Sequence, residues 1–302
     1  MRMTLAVMAC FCAASTAGSL PFARSGIIDT PTASVLKHTQ VEIGGSFTAY
    51  SYQRSDSSSQ SDFALAGHIE VGLLERLQLG VTYLGAGGIS GQFRVMALRE
   101  SISRPGIAVG VENLTGERNY DFFKGDSGLY VYPRAQNLSA YIVFTKNFDF
   151  TTGTPIALSL GWGTGRFMQD TDSDGFANPV PGLFASFEYH PSPLASFMLE
   201  WDGRDANIGG YYRLGTVARV SGAIAEFEQI FRGDSRNQMD VMQSPNFTLG
   251  FQFFFGPFFN RTTLQPTERL RRERDEQALQ QLEEARRHAL EQIEALLRSM
   301  QP

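Results

Sequence analysis

Ile156-Ala157-Leu158-Ser159-Leu160-Gly161-Trp162-Gly163 places a large apolar side chain at every second position and a small residue between each pair. A strand displays its two faces through that alternation, whereas a helix repeats its apolar residues every three or four positions. The period of two returns nearby. Phe63, Leu65, Gly67, Ile69, Val71 and Leu73 alternate with Ala64, Ala66, His68, Glu70 and Gly72, and Ala206 to Leu214 behaves likewise. Working outward, the pattern predicts twelve strands over 41–52, 62–73, 75–84, 92–99, 105–113, 136–146, 155–164, 182–190, 194–202, 205–214, 217–227 and 246–255.

The connections argue for closure of these strands into a membrane barrel. Short links (Leu74, Ile102 to Pro105, Pro191 to Pro193, Gly215-Thr216) alternate with long polar ones after residues 52, 113, 164 and 227. Short turns on one side and long loops on the other is the layout of an outer-membrane barrel, and strands of 9–11 residues suffice to cross at a tilt. Links 147–154 and 203–204 depart from strict parity. A secreted β-sandwich is the competing fold, but its outer face would be rich in Lys and Glu. This chain of 302 residues has three lysines, Lys37, Lys124 and Lys146. Its sparse polar face carries Glu42, Glu70, Arg94, Glu112, Glu188, Glu200, Arg213 and Arg219.

Composition excludes other classes. A formal net charge of -5 argues against a nucleic-acid binder, and 24 Phe argue against disorder. No apolar run is long enough for a transmembrane helix. Thr4 to Ala17 follows Arg2, is apolar, and ends in Ser15-Thr16-Ala17, which is the pattern of a secretory signal peptide over 1–17. Both cysteines, Cys10 and Cys12, fall within it, so cleavage leaves neither a disulfide scaffold nor a thiol enzyme. Residues 18–40 are then expected to form an N-terminal periplasmic segment, with the barrel over 41–256.

After Gly256-Pro257 the character changes. Pro266-Thr267-Glu268 opens a helix, along which Leu279, Leu282, Arg286, Ala289, Ile293, Leu296 and Met300 recur at spacings of three and four. This amphipathic helix has coiled-coil tendency and, at about 1.5 Å per residue, reaches roughly 50 Å. An even strand count leaves both barrel ends on one side, so 257–302 is expected in the periplasm. There the 268–300 helix is a solvated tail, a pairing element, a plug, or an arm for a periplasmic protein.

Smaller constellations add little chemistry. Asp170, Asp172 and Asp174 before Gly175 match the first half of a calcium loop, but Pro181 stands where a bidentate Glu belongs. A solvated acidic loop is the default and a weak calcium site the alternative; no other cofactor is expected. The four histidines (His38, His68, His190 and His288) show no metal-ligand spacing, and no nucleophile motif accompanies them. His68 and Glu70 share a strand face, read as a hydrogen-bonded pair rather than an acid–base couple. No enzyme is expected.

Three segments carry resemblances. Thr248, Gly250, Phe253 and Phe255 are spaced like the signal by which the outer-membrane insertion machinery recognises a closing strand. Gly26-Ile-Ile-Asp29-Thr-Pro31-Thr-Ala33 and Glu200-Trp-Asp202-Gly203…Asn207-Ile-Gly209…Tyr211-Tyr-Arg213 resemble the opening and the tight hairpin of YjbH-like outer-membrane proteins. The hairpin departs from that pattern at Trp201, and this chain is shorter than full-length members. The resemblance implies a barrel associated with exopolysaccharide production or export.

The hairpin also has a physical reading. Asp202-Gly203 is a tight-turn pair. Glu200, Asp202, Asn207 and Arg213 fall on one face, inward if Trp201 and Ile208 meet lipid. With Glu70, Glu112 and Arg219 they are the polar lumen candidates, read as a ladder stiffening the wall, with a sugar or ion path as the alternative. Together these features predict a twelve-stranded barrel in contact with outer-membrane lipids, serving exopolysaccharide secretion as a non-enzymatic accessory. A porin-like diffusion channel, or an anchor acting through its helix, is the runner-up.

Overall fold

A computed structural model describes residues 20–53, 59–84, 88–114, 121–125, 128–131, 138–149, 154–168, 180–203, 206–227, 230, 246–258 and 266–299. The strands are β1 (Val41–Gln53), β2 (Ser59–Leu73), β3 (Leu77–Tyr83), β4 (Ile89–Leu98), β5 (Gly106–Glu112), β6 (Asp121–Gly125), β7 (Gly128–Val131), β8 (Ser139–Asn147), β9 (Ile156–Gly163), β10 (Leu183–Ser192), β11 (Ala195–Trp201), β12 (Ala206–Leu214), β13 (Ala218–Ala225) and β14 (Asn246–Phe255). One long helix follows, α1 (Pro266–Ser299).

Twelve of the strands close into an antiparallel barrel in chain order, interrupted only where β5 passes to β8, and β14 returns to pair with β1. β6 and β7 form a separate two-stranded hairpin within the β5–β8 connection, where the sequence pattern predicts only a long polar loop. At the closing seam Val41 faces Phe255 and Thr48 faces Thr248. The start of β1, the end of β14 and the short turns therefore share one mouth.

Burial distinguishes a membrane barrel from a soluble one. Along β14, Asn246, Thr248 and Gln252 are buried, while Phe247, Leu249, Phe251, Phe253 and Phe255 are exposed on the outer wall. On β9, Leu158, Leu160 and Trp162 point outward in the same way, and Ala157 and Ser159 point inward. A water-soluble fold would put these faces the other way round. An apolar outside around a polar inside is the arrangement that a bilayer stabilises. No described helix is long and apolar enough to cross a membrane.

Two further expectations change. The third strand begins at Leu77, not 75, because Leu74 and Glu75 both adopt left-handed φ, at 54° and 56°. Two consecutive residues of that kind make the tight turn whose twist suits a two-strand link. More consequentially, the described part of 18–40 is not a segment outside the barrel. From Leu20 to Ala33 it lies within the lumen, with Phe22, Ala23, Ile28 and Thr30 each 1% exposed, and 34–40 lead out to the short-turn mouth. The polar inner wall offers partners for its main chain, and its apolar side chains pack against wall residues such as Ala64, Ala66 and Ala223. Residues 1–17, expected as the signal peptide, lie outside the described residues.

Candidate functional site in the filled lumen

The lumen segment has no sheet ladder of its own. Short turns shape it: Phe22 takes φ 60° and gives its N–H to the Ile28 carbonyl at 2.7 Å, and the Ile27 N–H reaches the Thr30 carbonyl at 3.0 Å. Near the mouth the Thr39 N–H bonds the Gly72 carbonyl at 2.7 Å, and the Gly72 N–H returns to the Gln40 carbonyl at 2.9 Å. Deeper in, wall side chains hold the main chain.

Glu200 is the principal anchor. Its carboxylate accepts the N–H groups of Ile28 at 3.1 Å, Asp29 at 2.8 Å and Thr30 at 3.1 Å, and the Thr30 hydroxyl at 2.8 Å. Asn207 donates to the same carboxylate at 2.8 Å across the β11–β12 pair and accepts from the Glu226 N–H at 2.9 Å. Successive N–H groups converging on one carboxylate make a strong charge-assisted contact.

A second anchor joins four charges. Arg166, on the short 3-10 turn Gly165–Phe167, donates to the Asp29 carboxylate at 2.9 Å, the Asp29 carbonyl at 2.7 Å and Glu112 at 2.8 Å. Arg24 stands 3.5 Å from Glu112, 4.0 Å from the Asp29 carboxylate and 2.6 Å from the Asn113 amide oxygen. Two guanidinium groups and two carboxylates compensate one another where water is scarce. The third anchor is Arg94, which donates to the Ser25 carbonyl at 2.8 Å, the Ser34 carbonyl at 3.0 Å and the Tyr141 hydroxyl at 2.9 Å. Glu70 accepts the Ser25 N–H at 2.9 Å and is bonded by Gln78 and Gln92.

Apolar contacts fill the remainder. Phe22, Ile27 and Ile28 pack with Met198 and Ala223. Gly250 admits the Phe22 ring, since a Cβ there would stand 2.8 Å from it. Phe167 stacks on Phe184 with ring centroids 4.5 Å apart, and Tyr141 meets Phe167 edge-on at 5.9 Å.

Of the expected lumen residues, Glu70, Glu112, Glu200, Asp202 and Asn207 are buried in the wall, and Glu70, Glu112, Glu200 and Asn207 bind the segment or the residues that hold it. Arg213 and Arg219 lie apart from these anchors, at the short-turn mouth, so the expected ladder from Glu200 to Arg213 is not continuous. His68 pairs with Glu42 at 3.1 Å across β1–β2 rather than with Glu70. Thr248 and Gly250 face inward on β14, and Phe253 and Phe255 face outward. Asp170, Asp172 and Asp174 lie outside the described residues. The site residues missed were Arg24, Asp29 and Arg166: the first two sit in an aperiodic segment and the third in a long loop.

No protein-family model and no curated protein matches the chain. Solved structures resemble it in barrel architecture. An outer membrane channel from Pseudomonas putida F1 is 11% identical, with 75% of this chain and 98% of that chain covered and a TM-score of 0.35. The KdgM porin is 11% identical, with 71% and 99% covered and a TM-score of 0.39. The Ralstonia pickettii toluene transporter TbuX is 10% identical, with 80% and 98% covered and a TM-score of 0.38. The fold defines the class, a twelve-stranded transmembrane β-barrel, here with its own N-terminal segment as lumen content.

Proposed function

We propose that the chain is a non-enzymatic outer-membrane barrel, accessory to exopolysaccharide production or secretion, with its short turns and α1 on the periplasmic side. The observation that carries this reading is the contact of Glu200 with Ile28, Asp29 and Thr30. The two stretches that resemble YjbH-like proteins, 26–33 and 200–213, are the two sides of that contact. Segments with no proximity in sequence thus form one structural unit. A lumen occupied by 20–33 also favours an accessory over an open diffusion pore.

The test is secreted and cell-bound polysaccharide in a clean deletion strain, complemented by the full chain and by a version ending at Asn260. Loss restored by the full chain supports the reading, and restoration by it alone makes α1 the coupling element. Unchanged polysaccharide sinks it. A second reading, a channel gated by 20–40, is favoured by the anchoring of that segment through side chains, which can be exchanged without dismantling a sheet.

A further inference from the structure

Below the anchors, at the short-turn mouth, the inner faces of β12, β13 and β14 carry a cluster that holds no part of the segment by hydrogen bond. Arg213 and Arg219 are cross-strand partners on β12 and β13. Both guanidinium groups flank the Tyr211 ring, with Cζ 5.4 Å and 4.9 Å from its centroid, and Arg219 also stands 6.0 Å from the Phe254 centroid. Among the described residues neither has a carboxylate within ion-pair distance, 4.0 Å. The nearest carboxylates act on the pair through space without touching it: Glu42 is hydrogen-bonded to His68 at 3.1 Å, and Glu188, whose charge faces both arginines, stands 3.9 Å from His190.

The polar atoms beside the pair are also unspent. Gln252 accepts from the Arg219 Nε–H through its carbonyl oxygen, yet its own amide nitrogen has no partner, although the residue is 1% exposed. The Ser221 hydroxyl, on a residue 2% exposed, has none either. Buried donors are rarely left unsatisfied where no ligand or water is to be met. Arg213 is exposed at the mouth, so the cluster is reached from outside the barrel.

We infer that Arg213, Arg219, Tyr211, Gln252 and Ser221 form a binding site for an acidic saccharide unit. A guanidinium fork binds a carboxylate in bidentate fashion, the Tyr211 ring between the two arginines holds them in place, and the amide and hydroxyl are the donors left for the ring hydroxyls. The choice of a saccharide over another anion rests on the exopolysaccharide reading above. Tyr211 also packs against the cluster of Phe22, Ile27 and Ile28, so the site adjoins the lumen segment through that ring.

The test uses the full-length protein in detergent micelles, titrated calorimetrically with alginate hexamer, maltohexaose and inorganic phosphate. Alginate hexamer is expected to bind, with R213Q/R219Q weakening it at least tenfold, and the neutral sugar and phosphate alone are expected not to bind. Absence of alginate binding, equal binding of phosphate or maltohexaose, or binding unchanged in the double variant each overturns the inference. If the double variant does not fold, R213Q, at the exposed end of β12, carries the same comparison with a threefold or greater loss expected. Failure here leaves the polysaccharide phenotype of the deletion strain intact, so the site and the broader reading fail separately.

Discussion

Thr30 and Glu200 are 170 positions apart in the chain, yet the Thr30 N–H and hydroxyl both bond one carboxylate oxygen, at 3.1 Å and 2.8 Å. With Ile28 and Asp29, they bind the lumen segment to β11 by its main chain.

Replacing Glu200 by Ala leaves three N–H groups and the Asn207 amide without their acceptor. Breaking a buried charged contact from one side costs about 3–5 kcal/mol. The full chain in a planar bilayer is expected to stay closed, and E200A to conduct. An E200A barrel as silent as the parent would show that the Arg166 and Arg94 anchors suffice.

Gly250 and Phe22 should prove coupled. A methyl group at 250 meets the ring at 2.8 Å, so G250A is expected to destabilise by about 1–3 kcal/mol. F22A removes the ring at a cost of about 3–5 kcal/mol, and the double variant should be less damaged than the sum. Urea unfolding monitored by gel shift checks this, and strict additivity would argue that the two do not touch.

The outer wall supplies a test of environment. Leu160→Arg changes an exposed residue and would be nearly neutral in a soluble protein. In a bilayer it should cost about 2–4 kcal/mol near the midplane. Folding yield and denaturant midpoint in lipid vesicles distinguish the two.

A chain ending at Asn260 should insert and resist heat on gels as the full chain does. Side chains described along α1, such as Leu279 and Leu282, are exposed rather than packed on the wall. A truncated barrel that fails to fold would instead make the helix part of the structure.

The barrel could be read from sequence because its signal is local. Phe247 to Phe255 on β14 and Ile156 to Gly163 on β9 state inside and outside at every step, and the strands needed correction only at their ends. The content of the lumen could not be read in that way. Leu20 to Gln40 has no period, since its backbone is a run of turns and its partners are fixed by barrel geometry. Glu70, Glu112 and Glu200 could be assigned to the inner wall by parity, but their partners could not. Arg166 lies in a connection that folds inward, where alternation says nothing.

The lumen segment leads straight into β1, and the barrel is sealed by β1 against β14, the first and last strands of its wall. The strands between them all face residues 20–40 or the residues that hold them across one enclosed bore. Carboxylates and guanidinium groups that would confront one another across an empty bore gather instead about a common polypeptide. In the closed barrel the segment is a mandrel, the polypeptide on which opposite arcs of the circumference bear.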